Sequence, residues 1–192
     1  KKPLMEKRIG MAVSDHKRTF AILYSKFILG GYAYVFTDTG ADTMQINYAQ
    51  YGLFSSLFRS GESGYVLQAG LGMDCVVLLS GISDSYNLLI LLAPQRLLPW
   101  AVLASAYLKM ITISLVGYLF YRKLMQDGIG TMAAALAWTF SGYVILWGQH
   151  YGFCTCMALF TVFMYFLQCY LNGEQRWKSA GLVITVTMLL IS

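Results

Sequence analysis

The sequence predicts an all-α, polytopic transmembrane protein, and three observations carry that prediction. First, 57% of the residues are hydrophobic and only 12% are charged, with a mean hydropathy of +0.56. A soluble domain carries about 25% charged residues, so this chain lacks the charge for a surface that faces water on all sides. Second, apolar runs of about 18–25 residues recur, long enough at about 1.5 Å per residue to cross a hydrocarbon core of about 30 Å. Third, the basic residues gather in short clusters beside these runs, the pattern that encodes membrane topology. That clustering also accounts for the net charge of +5 without nucleic acid as a partner. Membrane lipids are the first partners implied.

In chain order, residues 1–18 hold Lys1, Lys2, Lys7, Arg8, Lys17 and Arg18 against only Glu6 and Asp15, which places the N-terminus in the cytoplasm. Residues 19–36 form the first predicted span, interrupted by Lys26. A signal peptide is the competing reading, but no small-x-small cleavage site follows an uninterrupted apolar core. A polar stretch at 34–62 comes next, then a Gly-rich turn at 70–74. Residues 75–93 are apolar enough to suggest a span, yet Ser80 to Asn87 would set unpaired polar groups in hydrocarbon. Were this piece to cross, Arg122 and Lys123 would fall outside and break the positive-inside pattern. Residues 37–96 are therefore predicted to be one long external loop carrying short interfacial or re-entrant helices.

Residues 97–121 form the second span, closed by cytoplasmic Arg122 and Lys123. Residues 129–147 form the third, with Ala133, Ala137 and Ser141 as a small-residue stripe that permits close helix contact. An external turn at 148–151 leads to the fourth span, 152–171, and a cytoplasmic segment at 172–178. Residues 179–192 begin a fifth span too short to cross. The expectation is thus about five visible spans, and residues 1–192 as the N-terminal part of one transmembrane domain in the cell membrane.

This layout puts ten of the fourteen Lys and Arg residues on the cytoplasmic side and only Arg59 and Arg96 outside. Five of the nine acids (Asp38, Asp42, Glu62, Asp74 and Asp84) fall in the external loop. Acids do not set orientation, so their concentration there calls for another cause.

Asp38 and Asp42 are the first candidates for chemistry. Gly40 between them argues for a turn near the external membrane surface. There a carboxylate could act as general base toward an acceptor hydroxyl, or the pair could hold a divalent cation such as Mg or Mn against a phosphate. The plainer reading is that they cap a helix running from about Thr43 to Phe58. That helix has the makeup to lie on a membrane or to pack on neighbouring spans.

Lys109 is the second candidate. It lies thirteen residues before Arg122, roughly 20 Å from the cytoplasmic end and roughly 10 Å below the external surface. From there it could meet an anionic lipid phosphate or snorkel to the external headgroups. His150, one of two histidines, could supply a proton, bind a phosphate or ligate a metal, or simply sit at headgroup level. Gln149 beside it and Gln45 in the polar stretch are the accompanying candidate phosphate ligands. Cys75, Cys154, Cys156 and Cys169 show no CxxC or CxxH spacing, and the last three, in one apolar run, read as small apolar fillers. No P-loop, dinucleotide fingerprint, nucleophile elbow or zinc signature is present in the sequence.

Several short motifs agree in order and spacing with a known family: Asp38-Thr39-Gly40-Ala41-Asp42-Thr43, Ser60-Gly61-Glu62, Gly70-Leu71-Gly72 and Ile82-Ser83-Asp84-Ser85-Tyr86-Asn87-Leu88-Leu89. Lys109, Ser141-Gly142-Tyr143 and Gly148-Gln149-His150-Tyr151 continue the pattern. Together they resemble the N-terminal part of the YfhO family, bacterial multi-pass proteins assigned to the C-type glycosyltransferase superfamily. The resemblance covers most of residues 30–192; Ser85 departs from it where relatives often have proline.

It implies a glycosyltransferase that takes a sugar from a polyprenyl-phosphate carrier on the outer face. The implied acceptor is a cell-envelope polymer such as teichoic or lipoteichoic acid. It also implies a catalytic aspartate in the first external loop, matching Asp38 or Asp42. Family members are several times longer, so this chain is expected to be an incomplete front portion. The alternative class is a non-enzymatic lipid or polymer transporter, or an envelope-assembly scaffold.

Overall fold

The computed structural model describes residues 10, 14–15, 17–34, 43–61, 65–67, 72–74, 84–125, 128–174 and 176–191. The described residues are mainly helical, with one minimal antiparallel ladder, in which β1 (Tyr65–Val66) pairs with β2 (Met73–Asp74). Three helices are long and apolar enough to cross a membrane, spanning Gln95–Leu124, Gly128–Leu146 and Tyr151–Leu171. These correspond to the predicted spans at 97–121, 129–147 and 152–171.

The first and fifth predicted spans are not among them. Residues 17–23 are helical, a turn falls at Tyr24, and α1 (Ser25–Ile28) is only four residues long. The polar-capable backbone then leaves the helix at Gly31, which takes the left-handed conformation (φ 68°) that glycine adopts without a Cβ clash. The predicted fifth span appears as an apolar helix at Lys178–Met188, inside α8 (Arg176–Ile191), shorter than a crossing requires.

Between these lie the short helices expected of the loop. A π-helical turn at Thr43–Tyr48 runs into α2 (Ala49–Ser60), which ends on Gly61 at φ 70° with its N–H donating to the Leu57 carbonyl. A 3-10 turn at Ser85–Asn87 leads to α3 (Leu88–Leu92), and a second at Gln95–Leu97 opens α4 (Leu98–Leu124). Pro99 at the start of α4 loses no helical hydrogen bond there, and Arg122 and Lys123 in the last turn favour its carbonyl end.

The third predicted span is two helices, α5 (Gly128–Thr139) and α6 (Gly142–Leu146). The Thr139 hydroxyl donates back to the Ala135 carbonyl at 2.7 Å, a bond that bends helices, and Ser141 is fully extended (ψ 157°). After the turn at 148–150, α7 (Tyr151–Leu171) runs as one rod of 21 residues, about 31 Å long.

Helix α7 is the hub: it packs on α4 and on α8, while α4 also packs on α5. On α4 the buried face runs through Val102, Ser105, Lys109, Ile113 and Gly117, steps of three and four residues that keep one side toward α7. On α5 the face against α4 is Thr131, Ala135 and Thr139, with Ala135 packed on Tyr118. This corrects the predicted stripe: Ala133 and Ala137 are exposed, because the contacting face is rotated by two residues. Trp138 locks α5 to α7 by donating from Nε1 to Thr161 Oγ1 at 3.0 Å. Gly181 of α8 meets Phe166 so closely that a Cβ there would come within 2.7 Å of the ring.

At the far end of the bundle, Glu174 accepts hydrogen bonds from both Lys123 and Lys178, joining the end of α4 to the start of α8. Those two bonds hold its carboxyl down at about 2.

Candidate functional site

The site is built around a charge pair at the level where α7 begins. Asp84 opens the 3-10 turn, its Oδ1 accepting from the Tyr86 N–H at 2.9 Å. That capping bond fixes the carboxylate's rotamer and points Oδ2 into the bundle. There Lys109 Nζ lies 2.8 Å away and Thr155 Oγ1 donates at 2.5 Å. Lys109 also donates to the Tyr151 carbonyl at 3.1 Å, and the Tyr86 ring centroid stands 5.8 Å from the ammonium. Lys109 is 2% exposed and Asp84 8%. Two opposite charges with this many hydrogen-bond partners can be held out of water; either alone could not.

Around the pair stands an aromatic wall. Tyr51 of α2 stacks on Tyr151 (centroids 5.6 Å), and the Tyr34 ring lies 5.9 Å from that of Tyr151. Burial first, and then the Asp84 charge, push the Tyr51 phenol well above its ordinary value, so it stays neutral. Polar bonds pin the loop helices in place: Ser55 Oγ donates to the Ala93 carbonyl at 2.5 Å, and Gln95 Nε2 to the Gly52 carbonyl at 3.2 Å.

Asp38 and Asp42 lie outside the described residues, but the chain on either side of them does not. Tyr34 and Thr43 both attach to the turn that opens α7. The Tyr151 hydroxyl donates to the Tyr34 carbonyl at 2.5 Å, and the buried Thr43 hydroxyl donates to the Gln149 carbonyl at 3.1 Å. The segment bearing the two aspartates therefore leaves from and returns to residues 149–151.

The other predicted residues are placed as follows. Lys109 turns its ammonium onto Asp84 rather than toward headgroups. His150 is half-buried between Trp147 and Phe153, at ring distances of 5.6 and 5.3 Å. Gln149 is half-buried and anchors Thr43 through its backbone. Gln45 is exposed on the π-helical turn. Among the described residues no group of three or more His, Cys, Asp or Glu could hold a metal ion.

Sequence reasoning grouped Asp84 with the loop acids and missed it as the partner of Lys109. The available signal was Lys109 itself, since a lysine at membrane depth requires a carboxylate or carbonyls. Thr155 and Tyr151 carried no such signal, being ordinary residues of an apolar run.

Compared with models of known families, with characterised proteins and with solved structures, the chain matches none.

Proposed function

We propose that this chain carries the first-loop half of a membrane glycosyltransferase site, in the five-span arrangement with an outward-facing loop at 37–96. The donor is a sugar on a polyprenyl-phosphate carrier and the acceptor a hydroxyl of an envelope polymer such as teichoic or lipoteichoic acid. One observation carries the reading: four separated stretches that bear the family resemblance meet at one place. Thr43 closes the aspartate segment onto Gln149, Tyr151 binds Lys109 through its carbonyl, and Lys109 binds Asp84.

In the proposed reaction Asp38 or Asp42 accepts the proton of the acceptor hydroxyl as its oxygen bonds to the anomeric carbon. The bond from that carbon to the phosphate oxygen breaks, and the carrier leaves as a lipid phosphate. His150 and Gln149, in the turn to which Thr43 is bonded, and Gln45, two residues beyond Thr43, are the proposed ligands for that phosphate. Carboxylates are the hard oxygen donors that Mg2+ or Mn2+ prefers, so Asp38 and Asp42 are the residues that would hold such an ion. Lys109 takes the part of a positioning residue; for it to bind the lipid phosphate, Asp84 must release it.

The test is Asp38→Asn and Asp42→Asn in membranes given a labelled polyprenyl-phosphate sugar. Lost transfer at normal protein level is the expected result. Retained transfer refutes the assignment, and movement of the labelled lipid across the bilayer with its sugar intact establishes the transporter alternative instead.

A further inference from the structure

The Asp84–Lys109 pair has an unfinished side. An ammonium has three N–H donors, and those of Lys109 have two hydrogen-bond acceptors among the described residues, Asp84 Oδ2 and the Tyr151 carbonyl. One turn earlier on the same face of α4, Ser105 is 2% exposed, and its hydroxyl has no hydrogen-bond partner among the described residues. A buried hydroxyl without a partner is costly, and here it stands beside a cation with a donor to spare.

Both residues line one small cavity together with Tyr51, Ile90, Gly148 and Cys154. Its volume is about 10 Å3, which is the room one water molecule needs and too little for any larger ligand. Residues four apart on a helix are neighbours, so a molecule between the Ser105 hydroxyl and the Lys109 ammonium can bond to both. The rest of the lining is mostly apolar, which leaves these two groups to orient it.

We propose that this cavity is a binding site for a single structural water, held between Ser105 Oγ and Lys109 Nζ. The water accepts from the third N–H of Lys109 and bonds to the Ser105 hydroxyl. It completes the shell of the cation with the Asp84 carboxylate, the Tyr151 carbonyl and the Tyr86 ring. Lys109 is thereby held fixed at the start of α7, away from bulk water. This holds whatever reaction the loop performs.

The sign of one substitution separates a watered site from a dry one. If Ser105 is an orphan, Ser105→Ala removes a buried unsatisfied group and leaves the unfolding midpoint unchanged or raises it. If it holds a water, Ser105→Ala loosens that water and lowers the midpoint by about 2–4 °C for a chain of this size. The measurement is thermal unfolding of the purified protein in detergent, paired with an experimental density map sharp enough to resolve ordered water. A lowered midpoint together with a density peak bridging Ser105 and Lys109 is expected. An empty cavity, or an unchanged or raised midpoint, overturns the proposal.

Discussion

Lys109 Nζ lies 2.8 Å from Asp84 Oδ2, joining the middle of α4 to the 3-10 turn that precedes α3. Twenty-five residues separate the two in sequence, one in a long apolar helix and the other in the polar stretch before it. The pair therefore fixes where the loop sits on the bundle. Its second contact, to the Tyr151 carbonyl, ties the same point to α7 and to the turn from which the aspartate segment springs.

Breaking the pair from one side leaves an uncompensated buried charge. Lys109→Met and Asp84→Asn are each expected to cost about 3–5 kcal/mol. The double variant Asp84→Asn, Lys109→Met is expected to cost less than the sum of the two. Unfolding in detergent across the double-mutant cycle checks this, and strictly additive losses would show that the pair does not act as a unit.

Thr43→Val keeps the shape of the side chain and removes its donation to the Gln149 carbonyl. Stability is expected to fall by about 1 kcal/mol. Under the proposed function, sugar transfer is expected to fall on the order of ten- to a hundred-fold, because a displaced aspartate loses its geometry. Transfer measured at equal protein level decides it; full activity would mean that the anchor does not position the aspartates.

The face that α5 presents to α4 can be read by adding bulk. Ala135 is 2% exposed against Tyr118, so Ala135→Leu is expected to destabilise by about 1–3 kcal/mol through overpacking. Ala137→Leu, on the exposed side, is expected to be neutral. The reverse order in detergent unfolding would rotate α5 by two residues.

Glu174 gives the other end of the bundle a pH dependence. Its folded-state pKa of about 2 lies below its ordinary value of 4.5, so the folded state prefers the charged carboxylate. That stabilisation is fully present above the ordinary value and is lost as pH falls from about 4.5 through about 2. Glu174→Gln is expected to unfold more easily than the parent at pH 7, with the difference narrowing through that window. A difference that stays constant down to pH 2 would assign the effect to packing.

The three helices long and apolar enough to cross a membrane were legible because apolar length and flanking basic clusters are local properties, summed along the chain. The break at Phe140–Ser141 was less visible, since Thr139 and Ser141 look like any small polar residues of a span. The predicted stripe at Ala133 and Ala137 had the right spacing and the wrong phase. Periodicity gives the set of possible faces, and a neighbour selects one. Here Tyr118 of α4 packs on Ala135 and fixes the choice.

The sequence by itself determined a helical chain whose apolar runs are long enough to cross a membrane, with a polar, acid-rich stretch between them, because hydropathy and charge placement need no knowledge of contacts. Tertiary structure alone decided that Lys109 belongs to Asp84, and that Tyr34 and Thr43 both close onto residues 149–151. The physical reason is that a buried charge takes whichever opposite charge the fold brings within about 3 Å, and that distance is independent of separation along the chain. An isolated lysine in an apolar run announces that a partner exists; only the packing of α4 against α7 and the loop says which.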